Sequence, residues 1–497
     1  MRWLRRVVFG ILGVAYLFTC PAVVFYALGY SLAPRSEQAL IRTGLISITT
    51  IPSGASVYLG NRRYTRKTPT VLRDLVPGDY DVRLVLKSHE PWQAGVNVRP
   101  SRATALHRVR LIPQSWNPIV VSGEAFDNLV PIPGLDILLL RAGTRLGGVT
   151  VYDARVQDGW PLLPASSALG DARVLNQIVM PGSGEALFRV QDQDHERWLW
   201  IDVRDRKKEL HLDIGNLLLT RPQRFFWDAL DHQKLYTFRA GTISRLDAEA
   251  GMVLPALAEK VRGYGVYNRK LYIVHEDGSL TRLDPERKTE DVLNVRDPLS
   301  RFLAEENGRV QVHVLNDNML LGDRLILLVG EKGQVWANRF PYLLVDEGVV
   351  GVDTAPRAGR LLLWKRSQLG VLETDLHSDA ETGHSQLSDV RWADCGAQNI
   401  HQVFWVDDGT HVLVHDQDRA LFVRLPSPGF ARVRVDEVAR LKPETGLAYC
   451  AVTGKLYFID RDTSRLTSIE ILPRRELLSL PFAENRSESA KEKSVPR

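Results

Sequence analysis

The side chains of this chain that could do chemistry are few, and each also has a plain structural reading. Pro181-Gly182-Ser183-Gly184 sets a serine between glycines. A nucleophile elbow needs a strand-to-helix turn around such a serine. Strand-like residues flank this one, so a hairpin turn is expected. His195-Glu196 and His275-Glu276 begin like a zinc-protease motif. That motif needs a second histidine four residues after the first, to complete one metal-binding face of a helix; positions 199 and 279 hold Leu and Ser. Asp192-x-Asp194, Asp416-x-Asp418 and Asp460-x-Asp462 open like calcium loops but lack the glycine and the distal glutamate. Carboxylates favoured in turns for their local hydrogen bonds account for all three. No phosphate-cradling loop of the P-loop or dinucleotide type occurs. Trp198-Leu199-Trp200 and Phe225-Phe226-Trp227 could line a sugar-binding rim, but aromatic residues on strands belong more often to the core. No catalytic, cofactor-binding or metal-binding residue is therefore assigned, no cofactor is expected, and the binding residues stay open.

Three cysteines occur, Cys20, Cys395 and Cys450, with no CxxC or Cys/His cluster. An oxidising compartment would permit a Cys395–Cys450 bridge, provided the Cα atoms lie close enough. The two fall in different sheet-like units, so free, buried thiols are expected. The 64 Lys+Arg against 59 Asp+Glu leave a mild net charge of +5. The basic residues read as scattered, so no nucleic-acid partner is expected.

The elements that must position these residues begin with an apolar run. Val7 to Ala33 carries no charge, against the about 20 residues needed to cross a bilayer. Arg2, Arg5 and Arg6 precede it, while Arg35, Glu37 and Arg42 follow. The positive-inside rule then predicts a single-pass signal anchor at 7–33, with residues 1–6 in the cytoplasm, a linker at 34–43, and the remainder outside a bacterial-type cytoplasmic membrane. Trp3, Tyr26 and Tyr30 suit interfacial positions. A signal peptide cleaved after Ser31-Leu32-Ala33 is the alternative, although its apolar run should be shorter.

From Gly44 to Pro113, alternation at Ile46 and Ile48, and at Val82, Leu84 and Leu86, predicts half-buried strands. Turn signals separate them at Pro52-Ser53-Gly54-Ala55, Thr68-Pro69 and Pro77-Gly78. In this order the landmarks resemble the PEGA domain, a small all-β extracytoplasmic module. Ser53 stands where the naming tetrapeptide has Glu. Val57-Tyr58-Leu59-Gly60 resembles the following strand and turn, and Thr68-Pro69, Leu75, Pro77-Gly78 and Tyr80 the next pair. Ser88-His89-Glu90-Pro91-Trp92 is similar to a Gly-Tyr-x-Pro-Trp segment with its Gly and Tyr lost. The resemblance implies a small β-sandwich over 44–113 and says little about function.

Beyond Pro113 the chain repeats. Phe225–Asp247, Tyr264–Asp284 and Leu447–Glu470 share a short strand, a turn, Lys-Leu-Tyr with apolar residues, another turn and a third strand. Weaker copies centre on Leu138, Leu187, Leu325, Leu361 and Val412. About eight units at this spacing predict a β-propeller of about eight (or seven) blades over 114–472. Short helices are expected at Leu254–Val261 and Ala439-Arg440-Leu441, and a disordered polar tail at 473–497. The fold class is thus mainly all-β: transmembrane helix, small β-sandwich, propeller. The functional reading is a membrane-anchored cell-envelope interaction or scaffold protein, binding a protein or glycan partner through the propeller, and not an enzyme. A propeller enzyme acting on polysaccharide or peptide is the alternative, requiring titratable groups from several blades to converge. An inward-signalling sensor or assembly subunit is a third.

Overall fold

The structure is a computed structural model. It describes residues 12–13, 15–17, 19–20, 30–32 and 40–472, except 181, 205–210, 219–221, 223, 229–230, 248–249, 296, 307, 316–323, 356–359, 374–376, 379–384, 407–408 and 426–432. Two compact units are present, one over 1–117 with 427–431 and one over 118–426 with 432–497.

The N-terminal region departs from expectation. Tyr30–Leu32, expected to end the anchor helix, pairs antiparallel with Leu40–Arg42, which lies in the expected linker. Backbone groups that a spanning helix would satisfy within itself are here satisfied between strands. Among the described residues no helix is long and apolar enough to cross a membrane. The single-pass anchor at 7–33 and the extracytoplasmic placement built on it are therefore not supported. Most of 7–33, all of 1–6 and the tail 473–497 lie outside the described residues.

The first unit is a sandwich of two sheets. One has the strand order Arg62–Lys67, Ser56–Leu59, Gly78–Val85, Trp92–Val98; the other Thr70–Leu75, Gly44–Ile51, Ala103–Arg110. Buried and half-buried residues alternate along Gly44–Ile51, and one cluster holding Ile46, Ile48, Val57, Val82, Leu84 and Trp92 fills the space between the sheets. Gly78 (φ +152°) and Gly60 (φ +55°) turn the chain at the predicted sites, in a region that side chains disfavour. The crossing from one sheet to the other is pinned by Thr68, whose hydroxyl accepts the Ala55 N–H at 2.9 Å and bonds the Thr50 hydroxyl, both groups buried.

Among its described residues the second unit holds eight four-stranded antiparallel meanders, here sheets one to eight. They start at Asn128–Pro131, Arg173–Val179, Arg224–Asp228, Val261–Tyr267, Val310–Leu315, Gly351–Ala355, Ile400–Val406 and Leu447–Cys450. The eighth has only three strands of its own and is completed by Pro118–Ala125, which pairs with Arg465–Glu470. Leu138, Leu187, Leu325, Leu361, Val412 and all three Lys-Leu-Tyr segments fall on second strands. These strands are buried along most of their length, as strands covered on both faces must be.

Apolar clusters lie between consecutive sheets, one with two, two with three, three with four, four with five, five with six and six with seven. Sheet eight packs on sheet one through Tyr457, Cys450, Leu129 and Tyr152. The Leu441↔Asp460 bridge and an Arg461–Asp418 ion pair of 2.9 Å tie seven to eight. Each sheet stays open; the packing order is what returns on itself, and the arrangement is propeller-like. First strands converge, and those of sheets four and five pair in parallel at Gly263↔Val310 and Tyr264↔Gln311. A Cβ on Gly263 or Gly265 would stand 2.2 Å from a carbonyl oxygen of that facing strand, so both must be glycine.

Two expected helices are strands. Met252–Ala258 is the fourth strand of sheet three, with Val261 opening sheet four, and Arg434–Arg440 is the fourth strand of sheet seven. In both, edge pairing within a meander overrides local propensity. One α-helix, α1 (Asp297–Glu305), went unpredicted; it buries Leu299, Phe302 and Leu303 between sheets four and five.

Candidate functional site

One cleft draws on three sheets at once. Its walls are Asn128–Pro131 of sheet one, the start of sheet seven, and the 443–446 loop that leads into sheet eight, enclosing 810 Å³. Ligand sites are commonly about 300–1,000 Å³.

A β-bulge builds its polar end. Ile400 pairs with Asp416 and Gln402 with His415, so His401 is the extra residue between two successive pairs. Bulges re-aim side chains in this way. The imidazoles of His401 and His415 come to lie 5.5 Å apart, tilted at 49°. His401 is exposed, while His415 is only 7% exposed and its Nε2 has no hydrogen-bond partner among the described residues. Burial, and next the neighbouring His401, hold the His415 pKa below the usual histidine value, against a hydrogen bond with the Gln417 backbone that raises it. His415 and His401 both line the cleft, the Nε2 of His415 being itself buried.

The walls are held firmly. Asp416, 1% exposed, accepts backbone N–H groups from Gln398 at 2.9 Å and Asn399 at 2.7 Å and is paired with Arg419. On the far side the Gly446 N–H donates to the Leu129 carbonyl at 3.0 Å, and a Cβ there would stand 2.2 Å from that oxygen. Lys442 reaches across to Asp127 at 2.9 Å, which lowers the Asp127 pKa. Glu444 is exposed with φ +63°.

The residues singled out in the sequence do not assemble a site of their own. Ser183 sits in the turn between two strands of sheet two, its Oγ accepting the Glu185 N–H at 3.2 Å. His195 and Glu196 border a groove of 590 Å³ whose charges are already matched. There Arg189 holds Glu196 through bonds of 2.6 and 2.8 Å, and Arg197 spans Asp192 and Asp213. The His275 Nε2 lies 3.0 Å from Thr281 and from Glu290 within sheet four. Asp460 accepts the N–H groups of Asp462 and Thr463, the turn role expected of it. Trp198 and Trp200 are buried, with Phe225 and Trp227 packed against the same core. Cys395 and Cys450 are free and buried, and burial pushes the Cys450 thiol up to about 11. Among the described residues, no three His, Cys, Asp or Glu side chains group as a metal site. Of the sequence candidates only Asp416-x-Asp418 touches the cleft; His401, His415 and Glu444 were missed.

Residues 43–111 match the PEGA domain family. Among curated proteins none matches the chain in sequence. Similar solved structures are β-propeller proteins. Hsv2 of Kluyveromyces lactis is 12% identical, with 62% of this chain and 98% of that one covered and a TM-score of 0.39. The β-propeller domain of Cps50 (Swd1) from Myceliophteria thermophila is 14% identical, with 71% and 98% covered and a TM-score of 0.36. A complex of KlAtg21 with the coiled-coil of AgAtg16 gives 10%, 63%, 98% and 0.38. The likeness is one of fold alone.

Proposed function

We propose that this protein is an interaction scaffold whose second unit, an eight-bladed propeller, binds a protein partner through the cleft at His401 and His415, with the PEGA-like unit as a spacer or contact module. The observation that carries this reading is a cleft of 810 Å³ on which three sheets converge, lined by His401 and His415 together with Asn128–Pro131 and the 443–446 loop. Rigid walls tied by Asp416 and Gly446 suit binding with little ordering cost. A propeller enzyme would use the same two imidazoles. Among the described residues, however, neither has a carboxylate bonded to it, as a catalytic base needs to be oriented.

The test is a photo-crosslinking residue at Gln402 in the full-length protein within its native cells. A discrete crosslinked protein, lost on adding His415→Gln, is the expected result. Absence of any protein adduct, with turnover of a peptide or polysaccharide abolished by His415→Gln, would favour the enzyme.

A further inference from the structure

The first unit has a groove of its own. It encloses 770 Å³ and takes its walls from both sheets of that unit, from the edge strands Arg62–Lys67 and Thr70–Leu75 and from Gly44–Ile51. Arg66 and Arg73 line it and are exposed, and the lining holds no Asp or Glu. Among the described residues neither arginine has a carboxylate partner, nor do Arg62, Arg63 and Lys67 on the same edge strand. The other polar groups of the lining are hydroxyls. Those of Ser47, Tyr64 and Thr65 make no hydrogen bond among the described residues. Guanidinium groups pair bidentately with carboxylates, and hydroxyls suit other hydroxyls as partners. A guest complementary to this lining therefore carries anionic groups and hydroxyls on one chain.

The geometry disfavours three other anionic partners. A single-stranded nucleic acid needs bare rings for its bases to stack on. Here the Arg62 guanidinium lies over the Tyr64 ring at 5.4 Å, and that of Arg83 over Tyr58 at 4.7 Å. An acidic peptide could add its backbone to the free edge of Arg62–Lys67, but the register of that strand breaks between Ser56 and Tyr58. Bulges of this kind twist an edge away from such pairing. A lipid surface meets groups that protrude to one plane, whereas Arg66 and Arg73 line a groove.

We propose that this groove binds a linear acidic polysaccharide, its uronate carboxylates paired with Arg66 and Arg73 and its sugar hydroxyls bonded to those of Ser47, Tyr64 and Thr65. Arg62, Arg63 and Lys67 extend the positive track along the edge strand and draw the rest of the polymer to it. The contact is independent of the protein partner assigned to the cleft, and either can fail alone.

The test is calorimetric titration of the full-length protein with a short oligogalacturonate. Neutral maltooligosaccharide, oligoglutamate, oligothymidylate and phosphatidylglycerol vesicles are the comparison probes. Oligogalacturonate should bind more tightly than any of them, and less tightly as salt is raised. Arg66→Gln combined with Arg73→Gln should weaken it roughly tenfold or more, the loss expected for hydrogen bonds between charged groups. Arg99→Gln combined with Arg102→Gln removes the same charge from exposed positions of the same unit outside the groove lining, and should weaken it far less. Thr65→Val keeps the charge and should still weaken binding, though by less than the groove arginines. Melting temperatures equal to that of the unaltered protein separate lost binding from misfolding. No binding of oligogalacturonate, or an equal loss from the Arg99 and Arg102 pair, would overturn the proposal. Tighter binding of oligoglutamate, oligothymidylate or the vesicles would overturn it in favour of an acidic peptide, a nucleic acid or a lipid surface.

Discussion

The two units solve burial and charge in opposite ways. The first keeps its core inside, between its own two sheets, and carries a surplus of positive charge. Residues 44–113 hold eleven Lys+Arg against four Asp+Glu, leaving the rest of the chain close to balance. The basic residues are scattered along the sequence as expected; the net positive charge gathers in this unit because it holds few carboxylates. Arg62, Arg63, Arg66 and Lys67 stand on an exposed edge strand with no carboxylate partner among the described residues, and Arg62 lies over the Tyr64 ring. Charged edges of this kind deter edge-to-edge pairing. The second unit puts its cores between sheets, so each sheet depends on its neighbours, and it matches charge with charge, as at Arg189–Glu196, Arg197–Asp213 and Arg461–Asp418. Where the first unit shows a row of cations on an exposed strand, the second builds a cleft from three of its sheets. That contrast is why protein binding is assigned to the cleft and spacing to the sandwich.

Melting of the two units followed as separate transitions tests this contrast. The largest effect is expected for Phe188→Ala, which empties a site fully buried between sheets one and two. It should cost the second unit about 3–5 kcal/mol and leave the first unit's transition unmoved in calorimetry. A shift of both transitions would show that the cores are not separate. Next, Gly263→Ala drives a methyl into the Val310 carbonyl and should cost the second unit about 3 kcal/mol. The same change at Gly95, where nothing stands within 4 Å of the added carbon, should cost the first unit far less. Thr68→Val leaves the Ala55 N–H without its acceptor, while the Thr50 hydroxyl still donates to the Pro52 carbonyl, and should cost the first unit about 1–3 kcal/mol.

The smallest effect is with pH. His313 and His415 both have pKa values lowered by burial, so the unfolded chain binds more protons near the ordinary value of 6.5. Stability contributed by these groups is present above that value and is lost as the pH falls below it. The second unit's melting temperature should therefore drop between about pH 7 and pH 5, with His415→Gln removing part of the drop.

Much of the fold was legible because it rests on local pattern. The alternation at Ile46 and Ile48, the turns at Gly60 and Gly78, and the Lys-Leu-Tyr second strands all depend on near neighbours in sequence. Misreadings arose where pairing outweighed pattern. Met252–Ala258 is apolar enough for a helix, yet closes a sheet; α1 offered only Leu299, Phe302 and Leu303, one short i, i+3, i+4 stripe behind an Asp-Pro start. The cleft was not legible. His401 and His415 belong to facing strands, and only a one-residue bulge brings them together. Nothing in the sequence places Glu444 or Asn128 beside them, because that juxtaposition depends on sheets one, seven and eight packing together.

We propose that the second unit, through its cleft, makes the functional contact. Photo-crosslinking from Gln402 in the cleft and from Thr65 on the first unit's edge strand, in otherwise identical full-length proteins, tests it most directly. The expected result is a discrete protein adduct from Gln402 that His415→Gln abolishes, and weaker or no adduct from Thr65. An adduct from Thr65 alone, or one from Gln402 indifferent to His415, would contradict it.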